Sequence, residues 1–276
     1  KWFTMTVAEY ASFCSLAIDS NLRPHISNAD HGTGSGAKLR YAYWDGSAWK
    51  RQAIPLNSDV VAYYTSIVLD TKDRPIISFY EYRGPKDSDI RIRLRNVMWT
   101  GEYWQVRTVD PQEGSGKFNY MVAKGDLIHL AYANVSAQTA GARYALWNGQ
   151  EWVREIVEGF EENNGQTVGF SIAVAVDKQG NPHLTYMNDS SAKVKYAVRK
   201  AGLWKTEEVE ALDRVAYPDR NSIALDDQDR PYLGYYDSGR GILRMAHWDG
   251  REWIRETVDE NVSGLNSSLQ IGNGSV

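Results

Sequence analysis

Aromatic and charged side chains gather where short apolar segments of this chain end or are joined. Tyrosine rings stack on the C–H faces of sugars, and charged groups bind paired hydroxyls. These residue types therefore predict a carbohydrate site, on connections that a rigid scaffold holds in place. The predicted ligand-binding residues are Asp30, Tyr64, Tyr80, Glu81, Arg83, Tyr217, Tyr236, Asp237 and Arg240.

The same residues leave more than one activity open. A non-catalytic, lectin-like protein is the first hypothesis, with a glycan or polysaccharide as its partner. A polysaccharide-active hydrolase or lyase is the second, and a hydrolase needs a pair of carboxylates. Glu81 with Asp30 or Asp237 is the set that the sequence offers for such a pair. A protein-interaction scaffold is the third hypothesis, and no catalytic residue is assigned.

Composition narrows the classes of partner. The formal net charge is −4, and no run of five like charges occurs. On electrostatic grounds nucleic acid is therefore not predicted as a partner, and no apolar run predicts insertion into a membrane. We expect a secreted protein, outside the cell or at the cell surface. No cofactor is predicted.

Histidines recur in one segment type, at His25, His129 and His183, but Ile76 and Tyr232 take the same place elsewhere. A position that accepts isoleucine is mainly a packing position. No close spacing of further His, Asp or Glu residues accompanies these histidines, so no metal site is predicted.

Tryptophan spacing shows what must position these residues. Four pairs of tryptophans lie five residues apart, and a turn signal such as Asp45-Gly46 separates each pair; the pairs are Trp44/Trp49, Trp99/Trp104, Trp147/Trp152 and Trp248/Trp253. Trp204 and Trp2 occupy the second position of the same motif. A hairpin that recurs about every fifty residues indicates a repeat architecture.

Four strand-like segments accompany each motif. A small apolar segment such as Ser66–Asp70 is followed by a segment that usually begins with proline, by one with a basic residue, and by one that starts at the second tryptophan. Alternation and β-branched content favour strands, and no segment has a capped helical period. The sequence thus predicts an all-β fold, a β-propeller of four-stranded antiparallel blades.

Five blades are predicted, with six as the alternative. The chain 1–276 is interpreted as a single propeller domain with repeats at about 15–65, 66–118, 119–172, 173–221 and 222–267. Partial strands are expected at both ends, at Trp2–Val7 and Ser268–Ile271. Wedge-shaped sheets leave similar gaps at each repeat, which the indoles would fill.

At its Asp-Gly-x-x-Trp turns, the chain resembles the Asp-box (BNR-type) repeat of sialidase-like and lectin propellers. The resemblance extends over all five units, although the Asp-to-Trp spacing is one residue shorter and Lys200-Ala201-Gly202 replaces one turn. It implies a propeller scaffold. For a sialidase it would also imply three clustered arginines, a tyrosine paired with glutamate, and an acidic acid/base, none of which is assigned here.

Two polar positions recur in every unit. The third segment carries Arg40, Arg95, Arg143, Lys195 or Arg244, and the second ends near Asp30, Glu81, Asn134, Asn188 or Asp237. One interpretation is a structural pair within each blade, worth about 0–1 kcal/mol at a surface. The other is a ring of groups that hydrogen-bonds sugar hydroxyls.

Overall fold

The computed structural model describes residues 4–32, 37–83, 91–160, 168–214, 220–260 and 267–272. The described residues form five four-stranded antiparallel sheets and no helix, which confirms the all-β prediction. The chain divides into two compact units, Lys1–Asp126 and Leu127–Val276. The division falls between two strands of the third sheet. The single-domain assignment and the repeat boundaries stay predictions.

Each sheet is a meander in which strands pair in chain order. The first sheet comprises β1 (Ala11–Ile18), β2 (Pro24–Asp30), β3 (Lys38–Trp44) and β4 (Trp49–Ala53). The second comprises β5 (Val60–Leu69), β6 (Pro75–Arg83), β7 (Arg91–Trp99) and β8 (Trp104–Asp110). The third comprises β9 (Ser115–Lys124), β10 (Leu127–Asn134), β11 (Gly141–Trp147) and β12 (Trp152–Gly159).

The last two sheets repeat this plan. The fourth comprises β13 (Val168–Val176), β14 (Pro182–Asn188), β15 (Lys193–Lys200) and β16 (Leu203–Ala211). The fifth comprises β17 (Ser222–Leu225), β18 (Pro231–Asp237), β19 (Ile242–Trp248) and β20 (Trp253–Asp259). All the strands predicted for the five units are therefore present.

Carboxylates fix the tight turns between strands. In the first sheet, Asp19 accepts the backbone N–H groups of Asn21 and Arg23, and Asp70, Asp177 and Asp226 repeat this role. Asp45 accepts those of Ser47 and Ala48 between the paired tryptophans. These hydrogen bonds hold the pKa of Asp45 well below its usual range.

The tryptophans pack as the sequence predicted. Rings within a pair meet edge to face or tilted, with centroids 5.4–5.9 Å apart. Trp147, Trp152 and Trp253 are buried, and the others that the structure describes are half-buried. Three of the second tryptophans, Trp104, Trp204 and Trp253, also meet a tyrosine from the preceding sheet, as Trp253 meets Tyr196 at 5.2 Å. The indoles thus fill space between neighbouring sheets of one unit.

Two of the recurrent histidines each lie between a tyrosine and an aspartate. Nδ1 of His183 lies 2.6 Å from the hydroxyl of Tyr196, and its Nε2 lies 3.5 Å from Asp177. His25 bridges Tyr41 and Asp19 in the same way, at 2.6 Å and 3.6 Å. These buried histidines join two strands of their sheet to the turn that follows the first strand, which agrees with the predicted packing role.

The chain ends differ from the expected partial strands. Residues 4–7 and 268–271 form no strand. The carbonyls of Thr6 and Val7 instead accept hydrogen bonds from the guanidinium of Arg51, and Ser267 N–H donates to Arg220 O. Isolated hydrogen bonds of this kind hold a segment without building a ladder. Within the described ranges, no helix is long and apolar enough to cross a membrane.

Candidate functional site

An arginine cluster surrounds Glu81 near the end of β6. Glu81 is only 1% exposed, and its Oε2 accepts hydrogen bonds from Arg93 Nε at 3.1 Å and Arg95 Nη1 at 2.8 Å. Arg83 Nε lies 2.9 Å from Oε1 without the alignment of a hydrogen bond, so both atoms keep unused capacity. We call Glu81 with Arg83, Arg93 and Arg95 the arginine cluster.

Strand alternation builds this cluster. Glu81 and Arg93 are directly opposite each other on β6 and β7, and Arg83 and Arg95 lie two residues along the same faces. Side chains two residues apart point to the same side of a sheet. Phe79, on that side, packs against the first sheet. The cluster therefore lies on the face of the second sheet that looks toward the first.

The cluster carries an excess of positive charge. One carboxylate and three guanidinium groups give a formal charge of +2, which Asp59 reduces to +1 through its contact of 3.5 Å with Arg83. Burial lowers the pKa of Arg95, and Arg93 and Arg83 lower it further while Glu81 raises it. Arg83 and Arg93 are 22% and 24% exposed, so part of this charge is open to solvent.

Lys195 and Arg244 of the second unit, which occupy the place of Arg95 in the third strand, pair with a carboxylate from a different strand. Lys195 and Arg244 bond to Glu158 and Glu210, which end the fourth strand of the preceding sheet. A buried tyrosine hydroxyl completes each group, as Tyr186 donates to Glu158 at 2.6 Å and Tyr235 donates to Glu210. Each ion pair is balanced one to one. The expected pairing of Arg244 with Asp237 is wrong, while the pairs Arg40–Asp30 and Arg95–Glu81 are confirmed.

The sequence contains the reason for this difference. An acidic residue lies six positions after the second tryptophan at Asp110, Glu158, Glu210 and Asp259, but Pro55 takes this place after Trp49 of the first sheet. Phe79 of β6 occupies the place that Tyr186 has in β14 and Tyr235 has in β18, so it cannot donate a hydrogen bond. Arg95 therefore takes its carboxylate from within its own sheet, at Glu81. Sequence reasoning missed Glu158, Glu210 and Arg93, although this spacing was the signal for the two glutamates.

An aromatic group lies in the unit Lys1–Asp126, near the starts of the first strands of three sheets, β1, β5 and β9. Tyr64 lies between Phe13 and Phe118, with ring centroids 4.5 Å and 5.0 Å away, and 6.0 Å from Tyr80. All three first-strand residues have positive φ, at 51° for Phe13, 50° for Tyr64 and 56° for Phe118. Ser171 takes the same place in the fourth sheet with φ at 53°, so this backbone conformation recurs with the repeat and belongs to the scaffold.

Burial places Tyr64 and Tyr80 below the surface instead of on an exposed rim. Each is 9% exposed, and burial raises the pKa of Tyr80 to about 12. The left-handed backbone at Tyr64 turns its ring inward between two phenylalanines, which the sequence pattern did not show. Tyr63, half-buried beside Phe13, is the tyrosine of this group with more accessible surface.

An exposed histidine adjoins these rings. His31 Nε2 lies 2.5 Å from Ser12 Oγ, and the His31 ring is 6.1 Å from the Tyr63 ring. His31 is fixed by its backbone N–H, which donates to Tyr10 O. The His31 ring therefore lies beside two hydroxyl-bearing side chains, Ser12 and Tyr63.

Asp30, another predicted residue, has a partner outside the arginine cluster. Asp30 pairs with Arg40 at 2.9 Å, and both line a cavity of about 520 Å³ together with residues 6–10. A hydrogen bond from Gly32 N–H and the Arg40 charge lower the pKa of Asp30.

The fifth sheet holds another predicted group. Asp237 is 1% exposed and accepts Gly239 N–H, and Arg240 binds Asp213 through two hydrogen bonds. Tyr236 is half-buried on the same strand. Tyr217 lies outside the described residues. In the described part of the chain, no group of three or more His, Cys, Asp or Glu is placed to hold a metal ion.

Comparison with known proteins identifies the fold. No protein-family model matches the chain, and no curated protein matches its sequence. A solved protein of unknown function from Dyadobacter fermentans superposes with a TM-score of 0.64 and 13% identity, over 91% of this chain and 83% of that one.

Two further solved structures have printed ligands. The intramolecular trans-sialidase from Ruminococcus gnavus, in complex with oseltamivir carboxylate, gives a TM-score of 0.56 at 11% identity, over 91% and 85% of the chains. An ulvan lyase of a new polysaccharide lyase family, bound to GlcA(1-4)Rha3S units, gives 0.58 at 12%, over 90% and 70%. At such identities the likeness shows the fold alone. The chain is an all-β protein with the β-propeller fold.

Proposed function

We propose that this chain is a carbohydrate-binding β-propeller protein that holds an acidic sugar unit at the arginine cluster. The observation that supports this most is the excess positive charge around buried Glu81. Guanidinium groups bind carboxylates and sulfates with charge-assisted hydrogen bonds. Arg83 and Arg93 expose part of their surface, so a ligand anion has access to them.

Unused hydrogen-bonding capacity supports the same proposal. Glu81 Oε1 and Arg83 Nε are buried without a hydrogen bond. Buried polar atoms are nearly always satisfied, so such exceptions have an explanation, and a bound polar group is one. The neighbouring Tyr63 offers a ring against which a sugar face can stack.

The comparisons support a carbohydrate ligand at the level of the fold. Both printed ligands, oseltamivir carboxylate and GlcA(1-4)Rha3S units, belong to proteins that share this fold. Binding of acidic glycans would agree with a location outside the cell or at the cell surface, which forms part of the proposal. The non-catalytic, lectin-like role is its simplest version, because it requires only the groups named here.

A glycan array tests the proposal. Wild type and Arg93→Gln are compared on acidic and neutral glycans, with Lys193→Gln as the control because Lys193 forms an exposed ion pair with Glu208. A charge-assisted hydrogen bond contributes about 1.5–3 kcal/mol, so Arg93→Gln should weaken acidic-glycan binding about tenfold or more. Binding of neutral glycans alone, or equal signals from all three proteins, would refute it.

A second candidate function is a lyase or hydrolase, favoured by the contact of His31 with Ser12 beside Tyr63. A histidine next to hydroxyls suits proton transfer at a sugar carbon or oxygen. Incubation with acidic polysaccharides should then give new reducing ends, or an unsaturated uronate that absorbs ultraviolet light, and His31→Gln should abolish the product. Binding without any product in wild type rejects this candidate.

A further inference from the structure

A second cavity lies between the fourth and fifth sheets, at the end of the sheets that carries the paired-tryptophan turns. Its volume is about 540 Å³, and both sheets belong to the unit Leu127–Val276. Side chains of β15 and β16 form one wall, and the turns around β18, β19 and β20 form the other. The lining includes Lys200, Lys205, Glu207, Asp229, Trp248 and Trp253.

Two indoles give this cavity an aromatic wall. Trp248 and Trp253 meet edge to face, with centroids 5.8 Å apart at 67°. Trp253 is held in place by Tyr196 behind it and by Glu207, to which its indole N–H donates at 3.1 Å. Trp248 is half-buried and so keeps accessible ring surface. Aromatic rings fixed in this manner stack on the C–H faces of sugars.

A change in one turn alters the charge of the cavity. In the first sheet, the turn between paired tryptophans has four residues and begins with Asp45, whose carboxylate lies 3.1 Å from Lys50 Nζ. In the fourth sheet, Lys200 pairs with Leu203 across a turn of two residues, Ala201 and Gly202. Lysine thus stands where the other turns have Asp, Asn or Thr.

Within the residues that the structure describes, Lys205 therefore has no aspartate partner of the kind that Asp45 provides for Lys50 in the first sheet. Lys205 follows Trp204 just as Lys50 follows Trp49, but it meets Lys200 at the place of an aspartate. Among the described residues, no carboxylate forms an ion pair with either ammonium group. The nearby carboxylates have other partners, because Glu207 accepts the Trp253 indole and Asp229 accepts Lys178 N–H. Arg230 is likewise engaged by Asp226 at 2.6 Å.

We propose that this cavity is a second saccharide-binding site, in which Lys200 and Lys205 hold the carboxylate or sulfate of an acidic sugar whose ring stacks on Trp248. The site shares no residue with the arginine cluster, so it does not depend on the function proposed above.

The test uses the full chain in the Arg93→Gln background, which removes the contribution of the other site. An oligogalacturonate and its methyl-esterified form are titrated while tryptophan fluorescence and heat are recorded. Lys200→Asp restores the charge pattern of the first sheet, so the aspartate pairs with Lys205. The matched control is Lys50→Gln, which removes the corresponding lysine of the first sheet.

We expect the free acid to bind and to quench fluorescence, with at least a tenfold loss of affinity in Lys200→Asp and none in Lys50→Gln. Trp248→Ala should lose both binding and the quenching. Thermal unfolding should show that Lys200→Asp is folded, since aspartate already occupies this place in two other sheets. Equal binding of the methyl ester, or equal affinity of Lys200→Asp and Lys50→Gln, would overturn the proposal.

Discussion

The basic residue of the third strand has different partners in the second sheet and in the fourth and fifth sheets. In the second unit, Arg244 and Lys195 are each neutralised by one carboxylate from the preceding sheet and covered by a tyrosine. In the first unit, Arg95 shares Glu81 with two further arginines. A balanced and repeated pair is explained by structure alone. The unbalanced cluster occurs once among the described sheets, and so it is the better candidate for function.

The largest expected effect comes from Glu81→Gln. Removing this buried carboxylate leaves Arg93 and Arg95 without their counter-ion, and breaking a buried pair costs about 3–5 kcal/mol. Urea unfolding should show a loss of that order. Glu208→Gln is the control, because its exposed pair with Lys193 should be worth about 0–1 kcal/mol. Equal losses in both variants would show that the cluster is not electrostatically distinct.

A smaller effect is expected from Tyr235→Phe in the balanced group. The hydroxyl donates to Glu210, whose remaining partner is Arg244. Leaving a buried acceptor with one hydrogen bond fewer costs about 1–3 kcal/mol. Acidic-glycan binding should not change, which separates a structural group from a binding group. A fall in glycan affinity as large as that of Arg93→Gln would break the comparison between the two units.

The His–Tyr–Asp groups of His25 and His183, one in each unit, should change the stability with pH in the same direction. Burial lowers the pKa of His183 and of His25 below the ordinary value of 6.5, more than the adjacent aspartate raises it. The unfolded chain therefore binds protons more readily, and their contribution to stability is complete above about pH 6.5 and is lost as pH falls through the folded-state pKa.

Unfolding free energies measured from pH 7.5 down to pH 5 test this expectation, and they should decrease as the pH falls. The decline should be shallower in His183→Gln and in His25→Gln, to a similar extent. If only one of the two variants showed a flatter pH dependence of the unfolding free energy, the groups around His25 and His183 would not be equivalent. Repetition of a group would then be a weaker indication that its role is structural.

The fold could be predicted because one motif repeats in the sequence. Trp44 and Trp49, with the turn between them, fix a hairpin, and the same spacing elsewhere places the remaining strands. Glu81 and Arg83 were predicted because they end a strand. Their grouping with Arg93 and Arg95 was not, because it depends on the register of β6 against β7.

Contacts between sheets were beyond sequence reasoning for a similar reason. Glu158 and Lys195 are separated by most of a repeat and meet only because neighbouring sheets pack in one particular way. Tyr64 was predicted to bind a ligand, yet its ring is 9% exposed and packs between Phe13 and Phe118. The positive φ of Tyr64 is unusual for tyrosine and leaves no signal in a single sequence.

The most direct test is a crystal structure of the full chain with an acidic oligosaccharide bound. The account predicts that a sugar carboxylate or sulfate lies within hydrogen-bonding distance of the guanidinium groups of Arg83 or Arg93. A sugar bound only elsewhere, with these guanidinium groups still contacting nothing but Glu81 and Asp59, would contradict it.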